Sequence, residues 1–288
     1  QKKRKKLDKK DKVTLQSFGI TTIIVALLLF FGYRQNIALI GLTNAQETAT
    51  TTAKLTLPSV AETLGLAPEN TKGKKFRIPI LMYHYVEHVQ DPHDTFREMM
   101  NIHPELFEEQ LRTLKDAGYT FMTMREVGEI LDGKALIPPK PIVLTFDDGY
   151  TTFETEVVPL LEKYQAKGVV YVIPDFTGHP NHMTNEQLHN VMASGLVEIG
   201  AHTLHHMYLA GNTKEEVTKE IAGSKMMLEY MLDISVVSFA YPFGAFDEQA
   251  VLVTQEAGFT TAVTTLPGIE AEQAQRFLLD RLRPGVRV

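Results

Sequence analysis

The chain has no cysteine and no tryptophan among its 288 residues. The missing cysteine excludes a disulfide scaffold, a thiolate zinc finger and a thiol nucleophile. Any metal site must then be built from His, Asp and Glu, a donor set that suits open catalytic sites better than closed structural ones. There is no GxGxxG or P-loop pattern either, so a nucleotide cofactor has no support. The formal net charge of −6, from 29 basic and 35 acidic residues, argues against nucleic acid as the main partner. What the chain does have is 44% hydrophobic residues, enough to build a core.

The charge is unevenly placed. Residues 1–12 hold eight basic and two acidic residues, a net of +6, which leaves −12 on the remaining 276. An apolar run from Phe18 to Tyr33 follows, and Val13 and Leu15 lengthen it to about 20 residues, enough for the hydrocarbon core of a bilayer. We read 1–12 as a basic cytoplasmic segment and 13–42 as a transmembrane signal-anchor, because a Lys/Arg cluster holds its flank in the cytoplasm. The rest of the chain then lies outside, on a single-pass cell-membrane protein. The competing reading is a signal peptide cleaved near the small residues Thr43 and Ala45, which would leave a secreted protein. Arg34 and a second apolar run, Ile37–Leu42, separate the apolar core from that site. Residues 43–75, rich in Thr, Ala and Lys, read as a flexible linker, and 76–288 as one folded domain.

In that domain short apolar runs alternate with helix-period stretches. Strands are expected at Ile80–Tyr85, Thr120–Thr123, Ile142–Phe146, Val169–Ile173, Val197–Ala201, Val236–Tyr241 and Thr261–Thr264. Pro104 opens a helix at its first turn; Phe107, Leu111 and Leu114 share a face and Gly118 ends it. Thr184 with Gln187, and Thr213 with Glu216, have the spacing of capping boxes. Such alternation implies an α/β fold with a mostly parallel sheet, closed into a distorted (β/α) barrel of about seven parallel strands or left open and doubly wound.

Three of these strands run into polar clusters. The stretch Ile142-Val-Leu-Thr-Phe-Asp147-Asp148-Gly149 ends in two adjacent carboxylates, where parallel α/β folds build sites. Two neighbouring carboxylates repel, so keeping both ionised calls for a cation or a donor. A second run ends in Gly200-Ala201-His202-Thr203-Leu204-His205-His206, where neutral imidazoles suit zinc-like cations; His205 and His206 compete for the second ligand role. The third, Phe239-Ala240-Tyr241-Pro242-Phe243-Gly244, can shape a wall and aim backbone N–H groups. Together they describe a metal site with one carboxylate free to take a proton.

T-F-D-D-G, H-T-x-x-H and F-A-Y-P-F-G, in this order, resemble the polysaccharide deacetylases of carbohydrate esterase family 4, the NodB-homology domain, over roughly residues 77–288. The resemblance implies that Asp147 is the catalytic base, that Asp148, His202 and His206 bind a divalent metal, and that the turn of Tyr241, Pro242 and Phe243 lies against the substrate, with a backbone N–H near Phe243 holding the oxyanion. It also implies hydrolysis of N-acetyl groups on N-acetylglucosamine-type residues of a cell-surface or extracellular polysaccharide. Zn²⁺ is the expected metal, with Co²⁺ or Ni²⁺ also compatible with a His₂Asp set.

Three departures from the family pattern matter. The Arg that pairs with the catalytic Asp in many members is replaced by Ala240. Arg281 or Arg283 could take its place. No Trp is available for the sugar groove, so Tyr83, Tyr85, Tyr241 and Phe243 would have to supply aromatic contacts. No His follows His206, so the family's terminal L-x-x-H is missing. Leu81-Met82-Tyr83-His84 matches it on the first strand, as in a permuted branch that includes the poly-N-acetylglucosamine deacetylases of biofilm matrices. An amide leaving group needs a proton, and His84 is the candidate general acid. Peptidoglycan and chitin oligomers are the rival substrates. A catalytically silent carbohydrate-binding protein and an amide hydrolase of a small non-sugar substrate are the rival functions.

Overall fold

The computed structural model describes residues 73–91 and 93–285. The expected cytoplasmic segment, the signal-anchor and nearly all of the linker lie outside the described residues. Among the described residues no helix is long and apolar enough to cross a membrane.

The domain alternates strands and helices around a curled, seven-stranded parallel sheet. Its strands are β2 (Ile80–Tyr83), β5 (Thr120–Met122), β6 (Pro141–Phe146), β7 (Gly168–Val172), β8 (Val197–Ala201), β9 (Ser238–Ala240) and β10 (Thr261–Val263). They run in the order β10-β9-β8-β7-β6-β2, with β5 also pairing with β6. All six residues of β6 and all five of β7 are buried, as expected of central strands covered on both faces. Pro141 stands at the first position of β6, where the missing N–H is tolerated.

Among the described residues no regular eighth strand spans the gap between the outer strands. The terminal segment does so through single parallel bridges, Leu279 to Val263 of β10 and Leu282 to Leu81 of β2. This arrangement matters for function because it carries Arg281 into the interior.

The strand expectations agree with the structure to within two residues at each end for all seven. Two further pairs lie off the main sheet: β1 (Lys75–Arg77) with β11 (Glu270–Glu272), antiparallel, and β3 (Tyr85–Val86) with β4 (Asn101–Ile102), parallel. Each strand is two or three residues long, too short to carry a period in the sequence.

The helices are α1 (Thr95–Met99), α2 (Pro104–Asp116), α3 (Met124–Leu131), α4 (Val158–Tyr164), α5 (Asn185–Ala193), α6 (Lys214–Leu232) and α7 (Glu248–Glu256). Helix α2 starts at Pro104 and buries Phe107 and Leu111. Both expected capping boxes form, at Thr184 with Gln187 and at Thr213 with Glu216. A third, Thr123 with Glu126, opens α3; each such cap stabilises its helix by about 1 kcal/mol. In β8, Gly200 is required by close approach: a Cβ there would lie 2.4 Å from the Tyr171 ring and 2.8 Å from Ser238 Oγ. Any larger residue would push β8 away from β7 and β9, and with it the residue that follows the strand, His202.

Candidate active site

The polar clusters meet at the carboxyl ends of the strands. His84 follows β2, Asp147 and Asp148 follow β6, His202 follows β8, and Tyr241, Pro242 and Phe243 follow β9. The curled sheet therefore brings together residues 159 positions apart in the chain's numbering, from 84 to 243.

Asp147 is 3% exposed and is held by Arg281, itself 1% exposed. The two guanidinium nitrogens Nη1 and Nη2 donate to Oδ1 and Oδ2, each at 2.7 Å. This fork-to-fork pairing fixes both the charge and the plane of the carboxylate. Two more donors are used: Nε donates to Thr264 O at 2.8 Å and Nη1 to Thr145 Oγ1 at 3.1 Å. Burial alone would raise the Asp147 carboxyl, but the guanidinium outweighs it and holds the group below the ordinary carboxylate range. Of the two candidate arginines, Arg281 is thus the partner. Arg283 lies one residue past the last barrel bridge and donates to Met100 Sδ at 3.3 Å instead.

Asp148 faces two imidazoles. Its Oδ1 lies 3.4 Å from His202 Nε2 and 3.3 Å from His206 Nε2. That oxygen is buried and makes no hydrogen bond. His202 Nδ1 sits 2.7 Å from Ala240 O and donates to it, so Nε2 is the ring nitrogen that faces Asp148 and, in the neutral ring, the one that carries the lone pair. One oxygen and two nitrogens, all within 4.8 Å of one another, form a donor set that fits a divalent cation. The electrostatics agree. Burial and the neighbouring His202 push the His206 imidazole down to about 4, so it stays neutral. Burial also opposes charge on His202, but Asp148 and Asp147 outweigh it and raise the group. The pocket thus favours positive charge at this point, which a divalent cation could supply in place of the proton.

His205 is turned away from this centre. Its Nδ1 lies 2.7 Å from the Glu220 carboxylate, so His206 is the imidazole that faces Asp148. A second cluster of metal-type side chains, His88, His103 and Glu105, is exposed on all three members.

His84 Nε2 is 3.9 Å from Asp147 Oδ2. Burial holds its imidazole below the ordinary value, against the pull of Asp147 and Asp148, so it is neutral at neutral pH. Phe243 borders the site beside His206. Its ring stands 4.6 Å from that of His206 and 6.4 Å from that of Tyr208. It is 64% exposed and Tyr208 57%, which leaves both rings available to a ligand. The Tyr241 N–H is taken by Val263 O and the Gly244 N–H by Tyr241 O. The Phe243 N–H precedes the first internal bond of its short turn.

Two aromatic expectations are corrected. Tyr83 is buried between Phe107 and Phe146, with ring distances of 5.3 and 5.1 Å. Tyr241 is fully buried and pairs its hydroxyl with Thr254 Oγ1 at 3.2 Å. Neither ring can meet a sugar. Pro242 is also buried, so Tyr241 and Pro242 shape the wall from behind and Phe243 alone presents its side chain. Tyr85 stacks on Tyr150 at 3.9 Å. The sequence reading missed Tyr150, Tyr208 and Glu220. Glu220 did leave a signal: it is a carboxylate within the apolar stripe of Val217, Ile221 and Leu228 on α6.

Strained backbone marks the same place. Eight described non-glycine residues have positive φ, and four of them belong to these loops: Asp148 (76°), Thr203 (61°), His206 (59°) and Phe243 (61°). Each conformation costs about 1–3 kcal/mol and persists only where the surroundings enforce it.

Comparison with known proteins supplies the frame for this geometry. Residues 136–262 match the family model described as polysaccharide deacetylase. The chain is 30% identical over 215 residues to YxkH of Bacillus subtilis (strain 168), which bears the name of a polysaccharide deacetylase, covering 74% of each protein. The solved Streptococcus pyogenes deacetylase PplD, in complex with acetate, is 31% identical with a TM-score of 0.69, covering 74% of this chain and 94% of that one. Two matches are shorter. The poly-β-1,6-N-acetyl-D-glucosamine N-deacetylase of Escherichia coli (strain K12) is 28% identical over 127 residues, 39% of this chain and 19% of that protein. The peptidoglycan-N-acetylglucosamine deacetylase of Bacillus cereus is 30% identical over 125 residues, 43% of this chain and 56% of that protein.

Proposed function

From the premise that this chain belongs to the polysaccharide deacetylase family, hydrolases of N-acetyl amide bonds, we propose that it removes acetyl groups from N-acetylglucosamine-type residues of a cell-surface or extracellular polysaccharide, using a divalent metal held by Asp148, His202 and His206. The observation that carries the metal is the buried, unbonded Asp148 Oδ1 set between two imidazole Nε2 atoms. The sugar unit is supported by the two shorter relatives, whose names both contain N-acetylglucosamine. Zn²⁺ fits the His₂Asp donors best, and Co²⁺ or Ni²⁺ would also be accepted. The basic segment and the apolar run before the linker support attachment to the cell membrane with the enzyme outside, where a polymer substrate is found.

A bound divalent cation supplies Lewis acidity at the acetamide carbonyl and makes the attacking water more acidic. Asp147, kept ionised and aligned by Arg281, takes the proton from that water. The Phe243 N–H donates to the oxygen on which negative charge develops. His84 is neutral before the reaction, so the proton it gives to the leaving nitrogen must arrive during it. Asp147, 3.9 Å away, is the source. The carbon–nitrogen bond then breaks, acetate leaves, and the free amine remains on the sugar. Replacing His84 by Ala is expected to lower kcat by about 10²-fold, the lower end for a lost general acid, with KM little changed. Steady-state kinetics on an N-acetylglucosamine oligomer checks this, and near-normal kcat would remove His84 from the mechanism.

The proposal as a whole is tested by acetate release. The full chain is incubated with oligomers of poly-β-1,6-N-acetylglucosamine, peptidoglycan and chitin, with and without chelator. Acetate is expected from at least one, lost with chelator and restored by Zn²⁺. Metal bound with no acetate from any of them would favour a silent carbohydrate-binding protein. Acetate only from small non-sugar amides would favour the other rival.

A further inference from the structure

We infer that Glu220 is the positioning residue of the metal site: from helix α6 it holds the Leu204–His205 turn so that His202 and His206 converge on Asp148. The inference rests on the proposed metal site and assigns the side chain that builds it.

Between the two facing imidazoles the chain makes an uncommon excursion. Thr203 and His206 both have positive φ, at 61° and 59°. Thr203 is β-branched, for which the left-handed region is a clear outlier. Two such residues within four positions cost about 2–6 kcal/mol if each costs 1–3, so the turn does not hold this shape unaided. Glu220 supplies the hold. The residue is 5% exposed. Oε2 accepts the Leu204 N–H at 3.1 Å and the His205 N–H at 3.0 Å. Oε1 accepts the His205 ring at Nδ1, 2.7 Å away. Three donors on two consecutive residues are thus gathered on one buried carboxylate. Other contacts to the loop are single, among them His205 Nε2 at 4.0 Å from Asp175 Oδ2. The Asp175 N–H donates to Leu204 O at 3.3 Å, and the Met207 N–H to Thr203 Oγ1 at 3.1 Å.

The chemistry explains why two neighbouring histidines have different work. His206 offers Nε2 to the metal position, whereas His205 spends Nδ1 on Glu220. The sequence pair His205-His206 is therefore an anchor beside a ligand rather than two alternative ligands. Glu220 touches no reacting atom; it acts through the loop.

The test is metal affinity, measured by titrating Zn²⁺ into the metal-free full chain, with the visible spectrum of the Co²⁺ form as a second readout. Glu220→Ala is expected to weaken Zn²⁺ about 10–100-fold, the usual cost of losing a partner that orients a ligand, and to alter the Co²⁺ bands. In the metal-free protein the Leu204 and His205 amides should exchange hydrogen faster. Glu220→Gln keeps an acceptor for both N–H groups, and its amide can face the other tautomer of His205, so it should bind Zn²⁺ within about threefold of wild type. His205→Ala removes one of the three bonds and should weaken Zn²⁺ by about 3–10-fold. A Glu220→Ala protein that loses thermal stability but binds Zn²⁺ like wild type would overturn the inference, because a merely structural role predicts that pattern. If Glu220→Ala does not fold, His205→Ala decides, and unchanged affinity there overturns it. The underlying metal reading fails separately: wild type would bind no Zn²⁺, or would bind it equally well after His206→Ala.

Discussion

Replacing Asp147 by Asn should lower kcat by about 10²–10⁴-fold, the range for a lost general base, while Zn²⁺ remains bound. The two effects separate if, as proposed, the two adjacent carboxylates do different work. Asp148 faces His202 and His206 at 3.4 and 3.3 Å, whereas Asp147 faces Arg281 at 2.7 Å and His84 at 3.9 Å. An amide at position 147 nearly matches the carboxylate in shape but cannot accept a proton at neutral pH. It also presents an N–H₂ group to one arm of the guanidinium, so a loss of stability accompanies the loss of turnover. Zn²⁺ titration and circular dichroism on the same preparation distinguish a lost base from a lost fold. Turnover within tenfold of wild type would show that Asp147 is not the base; loss of metal together with turnover would show that the two carboxylates are not divided in this way. The opposite variant, His202→Ala, is expected to lose metal and turnover together.

The proposed division of labour between Asp147 and Asp148 could be stated from the sequence only through the family resemblance. What the residues themselves carried was the placement. β6 and β7 are apolar along their length because helices or the barrel interior cover both faces, so their ends stood out against the carboxylates and histidines that follow. The same contrast located β8, β9 and β2. Three things stayed hidden. His205 and His206 are adjacent, and which one faces Asp148 depends on the backbone excursion at Thr203 and His206, which no periodicity encodes. Arg281 and Arg283 are two apart and would share a face of any strand. The last barrel bridge falls at Leu282, so only Arg281 lies inside the ring. Tyr83 and Tyr241 were grouped with the substrate because they adjoin motif residues, yet alternation along a strand sends neighbouring side chains to opposite faces. Their rings go to the core, and the exposed pair is Phe243 with Tyr208. With Trp absent, that pair has to supply any sugar-stacking surface on this wall.

Arg281 is where fold and chemistry are most tightly joined, and its removal should damage both. It is buried, and four hydrogen bonds tie it to Asp147, Thr145 and Thr264. Replacing it by Met leaves a buried carboxylate without a counter-charge, a change that costs about 3–5 kcal/mol. For a domain of this size that is a fall in Tm of roughly 6–20 °C, at about 2–4 °C per kcal/mol. The pH dependence gives the sign independently. In the native protein Asp147 titrates below its ordinary value, because Arg281 outweighs burial. The pair therefore contributes stability above the unfolded pKa of Asp147, and this contribution is lost as pH falls through the lower folded value. In Arg281→Met the main opposition to burial is gone and only the weaker pull of His202 and His84 remains, so Asp147 should titrate higher than in the native protein, and the stability that depends on its ionisation should be lost at a higher pH. The base is also protonated over a wider range, so the acid limb of kcat against pH should move upward. Arg281→Lys, which keeps the charge but not the fork, should fall between wild type and Met in both measurements. Thermal melts and pH–rate profiles of the three proteins give the answer. Equal melting curves and an unmoved acid limb in Arg281→Met would mean that the guanidinium neither holds Asp147 ionised nor joins the terminal segment to the barrel.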